Sequence, residues 1–331
     1  MLNPRKSLAA ACIGALVLTA GGLVSSSPAA AEPTVDDAKE KVDRLYHQAE
    51  QASERLNDAR LELSALRKDL RALRADQGRQ ERRLDAARLD VQDSVLSQYE
   101  GVGVAAVGEV VVSDDPASFL AGMSTMSTFN DMQSEVFKDY DTELRALDLR
   151  SSDTQDRVDE VAAVKRRIAH EKETIDDRLR EAKKVLADLE EEQRRELLAA
   201  SQSGTTTVVP TSVPASGRAA AAVSYALAQV GDAYVYGAAG PNAFDCSGLT
   251  MMSWAQAGVG LPHSSSAQMG SGPRVASSDL QPGDLVFYYS PVSHVGIYIG
   301  GGRIVHAANP GTGVVITGVF SMPYSGAVRP G

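Results

Sequence analysis

Apolar residues recur at alternating spacings of four and three from Leu45 onward: Leu45, Ala49, Ala52, Leu56, Ala59, Leu63, Leu66, Leu70, Leu73, then Gln77 and Gln80 as polar interruptions, then Leu84, Ala87 and Val91. A seam of this period marks a helix packed lengthwise on another helix. The intervening positions are mostly Arg, Lys, Asp and Glu and none is proline, so the spacing predicts one helix of about 100 Å at 1.5 Å per residue. So narrow a seam needs a partner. A second seam in the same chain supplies it: Met123, Met126, Phe137, Tyr140, Leu144, Leu147, Val158, Val161, Ile168, Ile175, Leu179, Ala182, Leu186 and Leu189. Between the two lie Gly101, Gly103, Gly108 and Pro116, a short break that makes the helices antiparallel neighbours. Val102–Val112 fits either a small strand or a partner-facing loop. His47 and His170 fall on the charged helices and read as solvated side chains, not ligands.

The pattern changes after residue 200. Residues 201–217 are rich in Ser, Thr, Pro and Gly, too polar and too broken by proline to pack, and read as a flexible linker. From Arg218 a separate domain is predicted. It opens with a helix over Ala219–Val230, passes glycine turns at Gly231 and Gly237–Gly240, and starts a second helix after Asp245, whose carboxylate suits a cap. Beyond Gly283 the texture is β: Asp284–Tyr289, His294–Ile299, Arg303–Ala308 and Val314–Val319 alternate or run apolar between turn residues. Helices followed by strands predict an α+β domain with an antiparallel sheet at 218–331, behind an all-α antiparallel coiled-coil hairpin at 32–200.

At 331 residues the chain has room for two or three domains. Its start changes the picture of where it works. Arg5 and Lys6 precede an uncharged stretch from Leu8 to Val24, and Ala29-Ala30-Ala31 forms a small-residue cleavage pattern, so residues 1–31 read as a secretory signal peptide and the mature chain as exported. Cys12 lies inside this segment, and the apolar run continues past it, which argues against lipidation there. Nothing later is apolar enough to span a bilayer. The net charge of -10 lies entirely upstream of Arg218, in the densely charged N-terminal part. From Arg218 on, Arg218, Arg274, Arg303 and Arg329 balance Asp232, Asp245, Asp279 and Asp284. No basic patch points to nucleic acid.

The mature chain then holds one cysteine, Cys246, where secreted proteins normally pair them. A thiol becomes nucleophilic when its thiolate is favoured, as at a helix N-terminus beside an imidazole. Cys246 stands at the predicted start of a helix, and the same domain carries His263, His294 and His306. If Gly300-Gly301-Gly302 form the hairpin loop, Ile299 pairs with Arg303, His294 falls opposite Ala308, and His306 is its diagonal neighbour on the same face. One imidazole can then exchange a proton with the thiol while the other holds the first in its useful tautomer. No His-Glu-x-x-His or paired-cysteine motif points to a metal, and no cofactor is expected.

Five segments in order, Tyr234-Val235-Tyr236-Gly237, Phe244-Asp245-Cys246-Ser247-Gly248-Leu249, Leu280-Gln281-Pro282-Gly283-Asp284-Leu285-Val286-Phe287, Ser293-His294-Val295-Gly296-Ile297-Tyr298-Ile299-Gly300 and Val305-His306-Ala307, resemble the NlpC-type (NlpC/p60) cell-wall cysteine peptidases. The likeness covers about Arg218 to Arg329; with its coiled coil, the chain resembles actinobacterial peptidoglycan endopeptidases. It implies a papain-like α+β fold in which Cys246 attacks a peptidoglycan stem-peptide amide, usually D-γ-glutamyl to diamino acid. His294 would be the base and His306 the third, polar member. Tyr234 would help hold the oxyanion, and Asp245 and Ser247 would line the substrate site. Tyr236 stands where tryptophan is frequent, Ala238 replaces a common glycine, and His263 replaces a frequent arginine, able to meet a substrate carboxylate only when protonated. Trp254 reads as core. The coiled coil can restrain the enzyme, space it, or dock a cell-division or membrane partner. The competing reading is a non-catalytic scaffold whose C-terminal domain only binds wall peptide.

Overall fold

The computed structural model describes residues 34–100, 116–189, 191–202, 215 and 217–331. The signal segment 1–31, the Val102–Val112 stretch and most of 201–217 lie outside them. Among the described residues, no helix is long and apolar enough to cross a membrane.

Helix α1, Val35–Tyr99, and helix α2, Pro116–Ala187, are each continuous. They lie antiparallel, as their cross-links show: Arg55 to Glu171, Arg167 to Glu62, Arg150 to Asp76, and Gln80 to the Glu143 carbonyl run in opposite directions along the two chains. The seam is dry near its middle, where Ala59, Leu63 and Leu70 pack on Val161 and Val164, and where Ala52 and Leu56 pack on Ile175. Toward the far end it loosens. Met123, Phe137 and Leu144 are exposed although they follow the seam spacing. Beside Leu144, α1 offers Gln80, buried and bonded to Glu143, in place of an apolar knob. The helix pattern also breaks earlier than its seam predicts. After Ala187 the chain turns into a separate helix α3, Glu191–Gln202, whose Leu197 packs with Leu189 on Ala38 at the start of α1.

The C-terminal part is α+β. Helix α4 covers Gly217–Ala228, so it begins two residues before the predicted Ala219. Two short parallel strands, β1 (Ala233–Tyr234) and β2 (Ala243–Phe244), lead into helix α5, Cys246–Gln256. After the short helix α6, Ser265–Gln268, come β3 (Leu285–Tyr288), β4 (His294–Gly300), β5 (Arg303–Asn309), β6 (Gly313–Gly318) and β7 (Tyr324–Val328). They form one antiparallel sheet in the order β6-β5-β4-β3-β7. The fifth strand, β7, is not visible in the hydrophobic alternation because Ser325 and Gly326 interrupt it. Leu249, Phe287, Val295 and Val305 are fully buried in the core shared by α4, α5 and the sheet. Trp254 sits there too, its indole N–H donating to the Gly283 carbonyl.

The two parts are in contact. A stripe of polar residues on α1, Glu50, Ser53, Glu54 and Asn57, is buried. These positions recur at helical spacing on a second face of α1, and that face meets the α+β domain.

Candidate active site

Asp245 precedes α5 with extended backbone, and its carboxylate accepts the Gly248 N–H at 2.6 Å. This cap places the Cys246 sulfur at the helix N-terminus, where the helix dipole favours a thiolate. The turn tolerates only glycine at 248. A Cβ there would collide with the Ala238 carbonyl and crowd His263.

The β4-β5 hairpin carries the two histidines. Ile297 pairs with Val305 and Tyr298 with Ile304, the register that sets His294 diagonal to His306. The loop differs from the three-glycine prediction. Gly300 pairs with Arg303, leaving a two-residue turn, and a bulge between Tyr298 and Gly300 absorbs the offset. A two-residue turn without that bulge would have put the imidazoles on opposite faces. As built, the His294 Nε2 to His306 Nδ1 distance is 2.7 Å and the rings meet edge to face. Thr317 Oγ1 is 3.0 Å from His306 Nε2. Burial, and then the neighbouring His294, push the His306 imidazole well below its ordinary pKa, so it stays neutral. Since Nε2 of His294 is committed to His306, only Nδ1 can serve the thiol.

That nitrogen is taken. Glu50 of α1 places Oε1 2.5 Å from His294 Nδ1. Burial alone would raise the Glu50 carboxyl, but the charge and hydrogen bond of His294, aided by His47, hold it below the usual carboxylate value. An ionised carboxylate can only accept, so the hydrogen lies on Nδ1 and that nitrogen cannot take a proton from Cys246. Glu54, one turn further along α1, accepts from Ser247 Oγ at 2.8 Å and from the Ser265 N–H at 2.5 Å, and its Oε1 is 3.6 Å from the Cys246 sulfur. Burial, and then the Asp245 charge, raise its pKa to about 7. Cys246 itself is fully buried. Burial, and then the charges of Glu54, Glu50 and Asp245, push its thiol well above its ordinary pKa, against the bond from Val295.

The remaining candidate residues converge on the same place. Tyr234 is buried, and its hydroxyl has no hydrogen-bond partner. Its pKa is raised first by burial and then by the charges of Glu50 and Cys246. Asp245 also accepts from the Gly237 N–H, from Asn57 Nδ2 of α1 at 3.2 Å, and pairs with His263 at 2.8 Å. Burial opposes protonation of His263, but the bond and charge of Asp245 outweigh it and raise its pKa. Asp58 binds Ser264 and Ser266, and Tyr236 donates its hydroxyl proton to the Tyr46 carbonyl, so α1 holds the rim as well. His47 does not face solvent as its charged surroundings imply: it is half-buried, its ring centroid 4.1 Å from that of Tyr289 and tilted to it by 42°. His170 is exposed. A cleft of about 330 Å³, lined by Tyr46, Glu50, His294, His306 and Thr317 among others, reaches the histidines from the side.

Sequence reasoning missed Glu50, Glu54 and Asn57. A buried polar stripe has the same composition as a solvated one, and only its helical spacing sets it apart.

Residues 231–327 match the NlpC/P60 family. A probable endopeptidase of Corynebacterium glutamicum is 47% identical over 116 residues, which is 35% of this chain and 56% of that protein. A probable endopeptidase of Mycobacterium tuberculosis is 53% identical over 100 residues, 30% of this chain and 26% of that protein. The chain thus spans about half or less of the length of these relatives. Among solved structures, the NlpC/p60 domain of the peptidoglycan hydrolase SagA is 35% identical and covers 34% of this chain and 97% of its own, with a TM-score of 0.32. The C-terminal part of this chain is therefore an NlpC/P60 domain.

Proposed function

We propose that this chain is an exported peptidoglycan endopeptidase that cleaves the stem-peptide amide from D-γ-glutamate to the diamino acid, and that α1 holds it latent until it is displaced. The observation that carries the catalytic reading is the buried row of Cys246, His294 and His306, joined ring to ring at 2.7 Å within an NlpC/P60 domain. With α1 withdrawn, His294 Nδ1 takes the Cys246 proton and the thiolate attacks the amide carbonyl carbon. The C–N bond then breaks as His294 returns that proton to the leaving amine. Water, deprotonated by His294, adds to the thioester carbonyl, and the C–S bond breaks to release the γ-carboxylate and restore the thiol. The unpartnered Tyr234 hydroxyl and the Cys246 N–H are suited to the oxyanion. Asp245 and Ser247, now bonded to Asn57 and Glu54, would take polar groups of the substrate, and His263 would face its carboxylate.

Latency rests on Glu50, which occupies the base nitrogen, and on Glu54, which disfavours the thiolate. Leu96, Tyr99, Leu120 and Met123 are exposed at the far end of the hairpin, which fits docking of a partner in wall remodelling or division.

Incubating residues 32–331 with muropeptides and identifying products by mass spectrometry tests the reaction. Fragments ending in free D-glutamate γ-carboxyl are expected; cleavage elsewhere, or none even after α1 is freed, would refute it. In the freed enzyme, His294→Ala is expected to lower kcat by about 10²–10⁴-fold, the usual worth of a general base. His306→Ala should lower it less, with KM little changed, because an orienting group does not itself exchange the proton with the thiol. Equal losses would show that the two histidines act as one unit.

A further inference from the structure

The latent site brings together three side chains that are good zinc ligands and that no local motif unites. Glu50 comes from α1, Cys246 from α5 and His294 from β4, and a donor atom from each lies within 4.8 Å of the other two. All three are at least nine-tenths buried. We infer that the latent form binds one thiophilic divalent cation, Zn²⁺ above all, between Glu50, Cys246 and His294, and that this ion fastens α1 to the catalytic domain. The inference rests on the latent arrangement proposed above.

Chemistry and geometry both favour it. A thiolate, an imidazole and a carboxylate form a usual donor set for zinc, with bonds of about 2.3 Å to sulfur and about 2.0–2.2 Å to nitrogen and oxygen. In a tetrahedron such bonds hold the donors about 3.3–3.7 Å apart. The Glu50 to His294 contact, 2.5 Å with a hydrogen between, must therefore open by about 1 Å, while the sulfur, within 4.8 Å of both donors, adjusts to the same spacing. The ion replaces that hydrogen and the thiol hydrogen. Cys246 gives its proton to bulk water, and His294, left neutral, carries its hydrogen on Nε2 toward His306 Nδ1. Zn²⁺ with one thiolate and one carboxylate is neutral overall, so the buried negative charges that now surround Cys246 would be offset.

The surroundings are those a metal site needs. His294 has its second nitrogen fixed at 2.7 Å by His306, which in turn meets Thr317 at 3.0 Å. A ligating histidine held in this way presents one nitrogen in a set direction. The other Glu50 oxygen is 3.7 Å from His47 Nδ1. Glu54 Oε1, 3.6 Å from the sulfur, or a water can fill the fourth position. Because the catalytic domain contributes only Cys246 and His294 to this set, affinity depends on α1 being docked. A chelator would then loosen α1, and zinc would restore the latent form.

The test uses residues 32–331 stripped of metal and titrated with Co²⁺ alone, followed by Zn²⁺ competition. One equivalent of Co²⁺ is expected to bind with a thiolate-to-cobalt charge-transfer band, and Zn²⁺ to displace it. Cys246→Ser should abolish the band. Glu50→Gln should weaken binding by at least about tenfold, since even indirect supports of a metal cost that much. Glu50→His, which keeps a ligand without the carboxylate, should retain the band, and circular dichroism checks that each variant is folded. No band, no stoichiometric binding, or binding unchanged in Glu50→Gln overturns the metal site. Failure of the latent reading would appear separately: metal-free wild type would then cleave muropeptides as fast as a Glu50→Ala/Glu54→Ala chain.

Discussion

Replacing Cys246 by alanine is expected to reduce muropeptide hydrolysis to below about one per cent, in the wild-type chain and in any variant that frees its site. Loss of an activated nucleophile normally costs several orders of magnitude, because general-base and oxyanion groups alone cannot form the acyl intermediate. The chain should remain folded, since the change removes one sulfur from a core that also contains Leu249, Phe287, Val295 and Val305. A cavity of that size costs on the order of 1 kcal/mol. Hydrolysis is measured by product mass, folding by circular dichroism, and thiol content by a maleimide reagent under denaturing conditions. Activity well above one per cent would rule out covalent catalysis by Cys246.

The Glu50→Ala/Glu54→Ala chain is expected to hydrolyse muropeptides at least about tenfold faster than wild type, and residues 218–331 alone should show a similar gain. The double change leaves the Ser247 hydroxyl and the Ser265 N–H without their α1 partner and returns Nδ1 of His294 to the thiol. Hydrogen bonds to charged groups contribute about 1.5–3 kcal/mol each. Losing all three shifts the docked-to-free equilibrium by more than a factor of ten even at the lower bound. The α1-α2 seam is left intact, because Ala52, Leu56, Ala59 and Leu63 face the other way. Initial rates at saturating muropeptide, with metal excluded, provide the measurement. If all three proteins cleave at the same rate, the coiled coil is a spacer and the contacts of Glu50 and Glu54 do not govern the enzyme.

The parts of the fold that follow a periodic pattern were legible from the chain itself. The four-three seam of α1 and the alternation in β4 and β5 both reflect burial of apolar side chains on one face, and period alone reveals that. The diagonal placement of His294 and His306 was readable for the same reason, although the bulge that preserves it was not. The bulge is a backbone adjustment at Ile299, just before the glycine turn, and an apolar residue there reads the same whether the strand is regular or bulged. Strand β7 was hidden by Ser325 and Gly326, and the early end of α2 by leucines that continue the spacing past a turn. The largest gap was α1. Glu50, Ser53, Glu54 and Asn57 carry no signal of their own in the sequence, because the polar residues between seam positions are visible without what they touch. Their partners, Asp245, Ser247, Ser265 and His294, lie about 190 to 240 residues away in the chain. Pairing at such distance is set by three-dimensional fit, not by local spacing.

The complete burial of Cys246 has a consequence for how long the protein survives before use. Oxidants such as peroxide react with exposed thiolates and carry them to sulfenic and then irreversible sulfinic acids. Beneath α1 the sulfur is shielded from solvent, and burial there disfavours a free thiolate. If α1 holds the enzyme latent as proposed, the helix that withholds the nucleophile from substrate also withholds it from oxidation, and a stored molecule keeps its nucleophile intact until α1 is moved.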